Sequence, residues 1–382
     1  MVADLSAARP AAPFSPAACP RLVIKIGSSL LVDKAGTIRR DWLEGVVADV
    51  ADAHAAGQRI AIVSSGAIAL GARRLGLPKG GRANLEDAQA AAATGQIALS
   101  HAWAELLGGN GLTAAQMLVT LDDLEDRRRY LNASATLDRL LSLGVVPIIN
   151  ENDSVATAEI RFGDNDRLAA RIGQAAGAHG VILFSDVDGL YTANPGSDPD
   201  ARLIPEVHRI DARIRAMADG GSASGMGSGG MASKLEAARI AQAAGANLAI
   251  VSGKTDRPLS TYAAGGRGTL FVAERGAPAR KAWLAGRLTS RGRIHVDAGA
   301  AVALGGGRSL LPAGATAVEG KFARGDVVDI VGPDAALLAR GLAEYDADEA
   351  GRIVGHRSDA LAAILGYAPR AALVHRDHMV ML

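Results

Sequence analysis

The chain has 382 residues, with 41 basic against 40 acidic side chains and a formal net charge of +1. So even a balance argues against a protein whose affinity comes mainly from neutralising a nucleic-acid backbone, local patches aside, and 49% hydrophobic with 21% charged residues excludes disorder over most of the length. The length exceeds the usual single core, so two domains are expected, and the lone cysteine, Cys19, can form no internal disulfide and gives no thiol pair for redox or metal chemistry.

Residues 1–20 are rich in Ala and Pro, lack the basic start and unbroken apolar stretch of a signal peptide, and are expected to form a disordered extension. A strand is predicted over Leu22–Ile26, followed directly by Gly27-Ser28-Ser29. Lys25 lies inside it, and an ammonium in an apolar strand buried on both faces needs an anion. Lys25 is either an edge lysine that reaches water or a phosphate contact, and the small residues after it favour the contact. Helix Trp42–Ala56 comes next, then strand Arg59–Val63, which ends in Ser64-Ser65-Gly66-Ala67. This second small-residue turn would admit a ligand to backbone donors and to the Ser65 hydroxyl. Helix Leu85–Leu107, strand Leu112–Leu118, helix Tyr130–Leu143 and strand Val145–Ile149 continue the alternation.

That strand runs into Asn150-Glu151-Asn152-Asp153-Ser154, and Gly163-Asp164-Asn165-Asp166 opens helix Asp166–Ala176. Either cluster alone reads equally well as helix caps and turns. Together, carboxylates that receive an ammonium and amides with a serine hydroxyl that hold a carboxylate suit a zwitterionic ligand. Strand Val181–Phe184 gives Ser185-Asp186, then the turn Asp188-Gly189-Leu190-Tyr191, where a nucleotide base can rest.

From Gly220 to Lys234 the chain is dominated by glycine and serine before it turns into a helix-forming run. Such a loop lets backbone N–H groups approach an anion, and the helix after it adds a positive end, which points to a polyphosphate. A flexible linker is the plain alternative. Gly225, Gly227 and Gly230 match the dinucleotide spacing, but no apolar strand precedes them, and Met-Ala-Ser stands where a Walker A loop needs Gly-Lys-Ser/Thr. Ser233 and Glu236 have capping-box spacing, so a helix is predicted from about Ser233 to Ala244, with Lys234 in its first turn as a phosphate contact. Strand Leu248–Val251 follows.

Continuous apolar strands separated by amphipathic helices indicate a three-layer α/β/α sandwich with a mainly parallel sheet, whose ligands bind beyond the carboxyl ends of the strands. The apolar runs are strand-length, far below the roughly 20 residues of a membrane helix, and the cytoplasm is the simplest compartment. After about Gly276 the pattern changes to short strand candidates, Gly286–Leu288, Gly292–Val296, Ala300–Ala303, Val318–Gly320 and Asp326–Val331, which predicts a small β-rich domain after a boundary near residues 275–288. No His/Cys group has metal-ligand spacing, so no protein-held metal is expected and a metal would be a hard ion carried mostly by phosphates.

Several stretches, in this order, resemble the glutamate 5-kinases of the amino acid kinase family: Val23–Ser29, Ser64–Ala69, Gln116–Leu118, Asn150–Glu159, Gly163–Asp166, Asp188–Thr192 and Gly229–Lys234. Ser309–Pro312, Val318–Gly320, Arg324–Asp326, Leu365–Tyr367 and Val374–Asp377 are similar to the PUA domain that many bacterial members carry. The resemblance implies a kinase domain over residues 21–275 and a PUA domain over 288–370. It implies ATP with Mg²⁺, transfer of phosphate to the side-chain carboxylate of L-glutamate, and the first step of proline biosynthesis. Lys25 and Lys234 would contact the transferring group and Asp166 would orient them. Ser65, Asp153 and Asn165 would bind glutamate, while Lys25, Ser185, Asp186, Ser228, Gly229, Gly230, Met231, Ala232, Ser233 and Lys234 would bind ATP. Ser64, Ser185 and Ala232 depart mildly from the family pattern, and only a contact at Ala232 is left in doubt. Feedback inhibition by proline, homodimers or homotetramers, and handover of the labile product to glutamate-5-semialdehyde dehydrogenase (gamma-glutamyl phosphate reductase) are further implications.

Two other readings remain open. The same fold accepts N-acetylglutamate, carbamate or UMP in other members, although Asp153 favours an acceptor with a free ammonium. The C-terminal region could be an RNA-binding module, but Asp297, Glu319, Asp326, Asp329 and Glu349 interleave its arginines and aromatics are scarce, which argues against RNA binding as the main function.

Overall fold

The computed structural model describes residues 13–155, 164–219, 230–273, 290–367 and 369–382. The chain divides into two units, Met1–Glu274 and Arg275–Leu382. In the first unit the chain runs β1 (Arg21–Ile26), α1 (Ser28–Leu31), α2 (Arg40–Ala55), β2 (Arg59–Ser64), α3 (Ala67–Leu75), α4 (Leu85–Gly109), β3 (Ala114–Val119), α5 (Leu121–Glu125), α6 (Arg127–Ser142) and β4 (Val146–Glu151). It continues through α7 (Asp164–Ala176), β5 (Gly180–Ser185), the short strands β6 (Leu190–Tyr191), β7 (Leu203–Ile204) and β8 (Glu206–Val207), then α8 (Ala212–Asp219), α9 (Met231–Ala243), β9 (Asn247–Ser252), α10 (Pro258–Ala263) and β10 (Gly268–Phe271).

Eight strands form one sheet in the order β3-β4-β2-β1-β5-β9-β10-β8. From β3 through β9 in that order neighbouring strands are parallel; β10 turns back against β9, and β8 runs parallel to β10. β5 is buried at every position and β1 at all but the first, as expected of strands covered on both faces. Helices cover both faces, giving the three-layer sandwich. From β1 the chain moves outward to β2, β4 and β3 and then returns to place β5 on the other side of β1. The crevice at this reversal, beyond the carboxyl ends of β1 and β5, is where open sheets hold ligands.

Residues 1–20 are expected to be a disordered extension, but its described part, from residue 13, packs on the first unit; residues 1–12 lie outside the described residues. Phe14 and Cys19 are buried against the core, and Gln58 Nε2 donates to the Phe14 carbonyl at 3.0 Å and to the Cys19 carbonyl at 2.6 Å. Burial pushes the Cys19 thiol up to about 12, so it is an inert packing group.

The second unit contains a five-stranded sheet ordered β12 (Ala315–Gly320), β11 (Gly292–Val296), β13 (Val327–Val331), β14 (Leu337–Leu342) and β15 (Met379–Met381). Its own core gathers Ile294, Val328, Ile330, Tyr345, Ile353 and Leu361. Ala300–Ala303, expected as a strand, is instead inside a helix, Ala298–Gly305. Asp297 caps it by accepting from Ala300 N at 2.7 Å, and alanine has the strongest helix preference of any residue. Gly286–Leu288 lies outside the described residues.

Candidate active site

Lys25 is the next-to-last residue of β1 and is buried, so its ammonium must find its anion inside the protein. It finds Asp166, from the first turn of α7: Lys25 Nζ lies 2.6 Å from Asp166 Oδ1. That oxygen makes no hydrogen bond of ordinary angle, and the contact is an ion pair. Lys234, near the start of α9, comes to the other oxygen, with Nζ 2.9 Å from Oδ2. Two ammonium groups, separated by most of the first unit in sequence, therefore share one fully buried carboxylate. Burial by itself would raise the Asp166 carboxyl, but the charges of Lys25 and Lys234, with the hydrogen bond from Lys234, outweigh it and hold the group below the ordinary carboxylate value. Asp166 stays ionised, and the trio keeps one positive charge in excess.

The helix that brings Lys234 begins earlier than predicted. It starts at Met231, with Gly230 as an extended cap (φ −55, ψ 168) that makes no side-chain capping bond, so Ser233 lies inside the first turn. Glu236, expected to close a capping box, is drawn instead to Arg239, with its Oε1 at 2.6 Å from Nη2. Starting two residues sooner places Met231, Ala232, Ser233 and Lys234 together on the opening turn, just after the Gly230 cap. Ser228 and Gly229 lie outside the described residues.

Beyond β2, Gly66 adopts φ 109, a left-handed conformation that reverses the chain and starts α3 with Ser65 at its mouth. Asn165, next to Asp166, donates from Nδ2 to Ser65 Oγ at 2.6 Å, and more distantly to Asn150 Oδ1 at 3.4 Å. Asn150 Nδ2 donates to Gln96 Oε1 at 2.8 Å. Asp153, just past β4, is buried. The guanidinium of Arg82 is partly buried, which lowers its value, and the Asp153 charge acts in the opposite direction. Ser65, Asn165 and Asp166 are thus joined, because Asn165 and Asp166 are adjacent in one helix turn. Arg82 and Gln96 carried no sequence signal: one follows a Lys-Gly-Gly turn and the other sits in an alanine-rich helix.

Ser185, the last residue of β5, is buried, and its hydroxyl donates to Asp186 Oδ1 at 3.1 Å. Past this strand end and that of β9 lies a cavity of about 370 Å³ whose lining includes Asp186, Asp188, Ser252, Lys254, Thr255 and Arg267. Its lining does not include Lys25 or Lys234, and it adjoins Ser185-Asp186. Arg267 closes one side: its Nε lies 3.2 Å from Asp188 Oδ2 and its Nη2 donates to the Tyr191 hydroxyl at 2.8 Å. No group of three or more His, Cys, Asp or Glu able to hold a metal occurs among the described residues. None of their helices is long and apolar enough to cross a membrane.

Comparison with known proteins identifies the family. Residues 20–252 match the amino acid kinase family and residues 292–365 match the PUA domain. The chain is 72% identical over 369 residues to a glutamate 5-kinase of Sphingopyxis alaskensis, covering 97% of this chain and 99% of that one. It is 67% identical to a glutamate 5-kinase of Zymomonas mobilis over 97% of this chain and 93% of that one. To one of Novosphingobium aromaticivorans it is 61% identical, over 95% and 96% of the two chains. A kinase site at a sheet reversal, a matching family over most of the first unit and near full-length relatives lead to one conclusion: the chain belongs to the amino acid kinase family and carries a PUA domain after the kinase domain.

Proposed function

We propose that the protein is a glutamate 5-kinase that uses ATP to phosphorylate the side-chain carboxylate of L-glutamate, the first step of proline biosynthesis, in the cytoplasm. The observation that carries this reading is the convergence of Lys25 and Lys234 on Asp166, beside the hydroxyl and amides of Ser65 and Asn165. A glutamate side chain, with a reference pKa of about 4.3, is ionised at neutral pH and needs no general base. Its carboxylate oxygen attacks the γ-phosphorus, the bond to the bridging oxygen breaks, ADP leaves and an acyl phosphate forms. The obstacle is repulsion between anions, and fixed positive charge with in-line positioning removes it.

In this reading Lys25 and Lys234 flank the migrating phosphoryl group, and Asp166 orients them without taking a proton. Ser185, Asp186 and the adjoining cavity take the nucleoside, and the opening turn of α9 takes the phosphates. No metal-holding group of acidic side chains occurs among the described residues and Asp166 is engaged by two lysines, so Mg²⁺ fits as an ion that the phosphates would carry and that would offset their charge. Asp153 receives the substrate ammonium. The kinase domain is taken as residues 21–275 and the PUA domain as 288–370. Proline would act as a feedback inhibitor by competing for the pocket of Ser65, Asp153 and Asn165, and the working form would be a homodimer or homotetramer that passes product to glutamate-5-semialdehyde dehydrogenase.

The test is L-glutamate-dependent ADP release, with hydroxylamine trapping of the acyl phosphate and with N-acetylglutamate, carbamate and UMP as rival acceptors. Hydroxamate formation from L-glutamate and not from N-acetylglutamate is expected. Turnover with a rival acceptor and none with L-glutamate would overturn the assignment.

A further inference from the structure

The amino-acid end of the site is backed by a chain of neutral side chains whose direction is set from a helix that reaches it only by close packing. α3 and α4 cross so tightly that a Cβ on Gly95 would stand 1.8 Å from the Ala67 carbonyl oxygen, and one on Gly71 1.8 Å from that of Ala91. Backbone against backbone at this crossing brings Gln96, the residue after Gly95, under the site, where it is 8% exposed. Its amide is divided: Nε2 donates to Ser100 Oγ at 3.2 Å and Oε1 accepts from Asn150 Nδ2 at 2.8 Å. Asn150, having given its N–H₂ to Gln96, turns Oδ1 toward Asn165 Nδ2. Asn165 in turn spends Nδ2 on Asn150 and on Ser65 Oγ.

Two features result at the end of the chain. Asn165 Oδ1 is buried and has no hydrogen-bond partner among the described residues. Ser65 Oγ accepts from Asn165, so its own hydrogen remains to be donated elsewhere. An acceptor buried without a donor is costly unless a ligand supplies the donor. A primary ammonium does so, and a carboxylate takes the serine hydrogen.

We propose that Gln96 is a positioning residue for substrate specificity. By holding the Asn150 amide in one direction, it keeps the Asn165 carbonyl facing the α-ammonium of the amino acid and the Ser65 hydroxyl facing a carboxylate. The proposal rests on the amino-acid acceptor reading above. Without the Gln96 oxygen, Asn150 can turn over and donate to Asn165 Oδ1. Asn165 then presents N–H₂ to the pocket, which repels an ammonium, while this N–H₂ takes over from the Ser65 hydroxyl as the donor to a carboxylate, so an acceptor without an amino group is little affected.

Equilibrium binding of L-glutamate and of glutarate, which lacks the amino group, to the full-length protein and its variants tests this. The unaltered protein is expected to prefer L-glutamate by about tenfold or more, the scale of a hydrogen bond to a charged group. Gln96→Met, nearly the same shape without the acceptor, is expected to reduce that preference by about fivefold or more, the charge of Asp153 keeping the remainder. It should do so by weakening L-glutamate and not glutarate, with kcat at saturating L-glutamate little changed. Gln96→Glu keeps an acceptor for Asn150 and should retain the preference. Should Gln96→Met not fold, Ser100→Ala removes the group that holds the Gln96 amide and should narrow the preference by about threefold. Equal weakening of both ligands, or an unchanged preference in Gln96→Met or Ser100→Ala, overturns the relay while leaving the glutamate kinase reading intact. An unaltered protein with no preference for L-glutamate overturns both.

Discussion

Two buried carboxylates, one in each unit, are surrounded by cations in contrasting ways. Asp166 meets Lys25 and Lys234, whose side chains are 8% and 5% exposed. Glu344, itself 4% exposed, meets Arg370 Nη1 at 3.0 Å and Arg324 Nε at 3.9 Å, whose side chains are 36% and 28% exposed, and His378 Nδ1 at 3.3 Å. Arginines that reach water lose little hydration, so the Glu344 cluster works as a fastening between the end of β14 and the segment leading to β15. Lysine is a compact and strongly hydrated charge, and one carboxylate does not repay the burial of two. A fold keeps such an arrangement where an incoming anion completes it. The number of cations is therefore a poor guide to a site, and their isolation from water is a good one.

The sharpest way to break this contrast is to remove a buried lysine. Lys25→Ala or Lys234→Ala is expected to lower kcat by roughly 10²–10³ or more, the scale of losing one fixed stabiliser of transition-state charge. The KM for L-glutamate should move by less than about threefold. Steady-state ADP release reads both quantities. A loss confined to KM with kcat intact would place these ammonium groups at the amino-acid end and dissolve the distinction drawn here.

Asp166→Asn comes next, because it keeps the shape and removes only the charge. It leaves two buried ammonium groups without their counter-ion, so a loss of about 3 kcal/mol in unfolding free energy is expected, together with a kcat reduced about 100-fold. Denaturant unfolding and the same rate assay decide it. A variant of undiminished stability would mean that the lysines are solvated in a way their burial does not convey.

How much of this was legible beforehand depended on whether a residue conflicted with its local setting. Lys25 was legible because an ammonium inside an apolar strand contradicts its neighbours, and Lys234 because a glycine-rich run ended in it. The central strands were legible because β1, β5 and β9 are continuous apolar runs closed by small polar residues. α3 was not, because Ser-Ser-Gly-Ala read as a turn and the helix depends on the left-handed Gly66. The run inside Ala298–Gly305 reads as a strand because it is apolar with no helical face, and the only helix signal is the single Asp297 cap. Gln96 was silent for a different reason: its neighbours Ala, Gly and Ile give no hint that α3 presses against α4 there. Local conflict can be read from one segment, whereas a relay assembled by two crossing helices cannot.

The smallest effect tests the other side of the contrast. Burial alone would raise the Glu344 carboxyl, but the hydrogen bond from His378 and the charges of Arg370, His378 and Arg324 outweigh it and hold the group below its ordinary value. A folded value below the unfolded one means that the stabilisation is fully present above about pH 4.3 and is lost as pH falls through the lower folded value. Glu344→Gln removes it at every pH. Since its arginine partners reach water, the expected cost is only about 1–2 kcal/mol, less than for a sealed pair. It should appear as a lower unfolding midpoint at pH 7, with the gap to the unaltered protein closing as both are taken into the acid range. Turnover should stay within about twofold, because Glu344 touches none of the reacting groups. If Glu344→Gln instead abolished turnover while unfolding normally, the carboxylate in the second unit would serve the chemistry too, and water access to its arginines would no longer separate a fastening from a site.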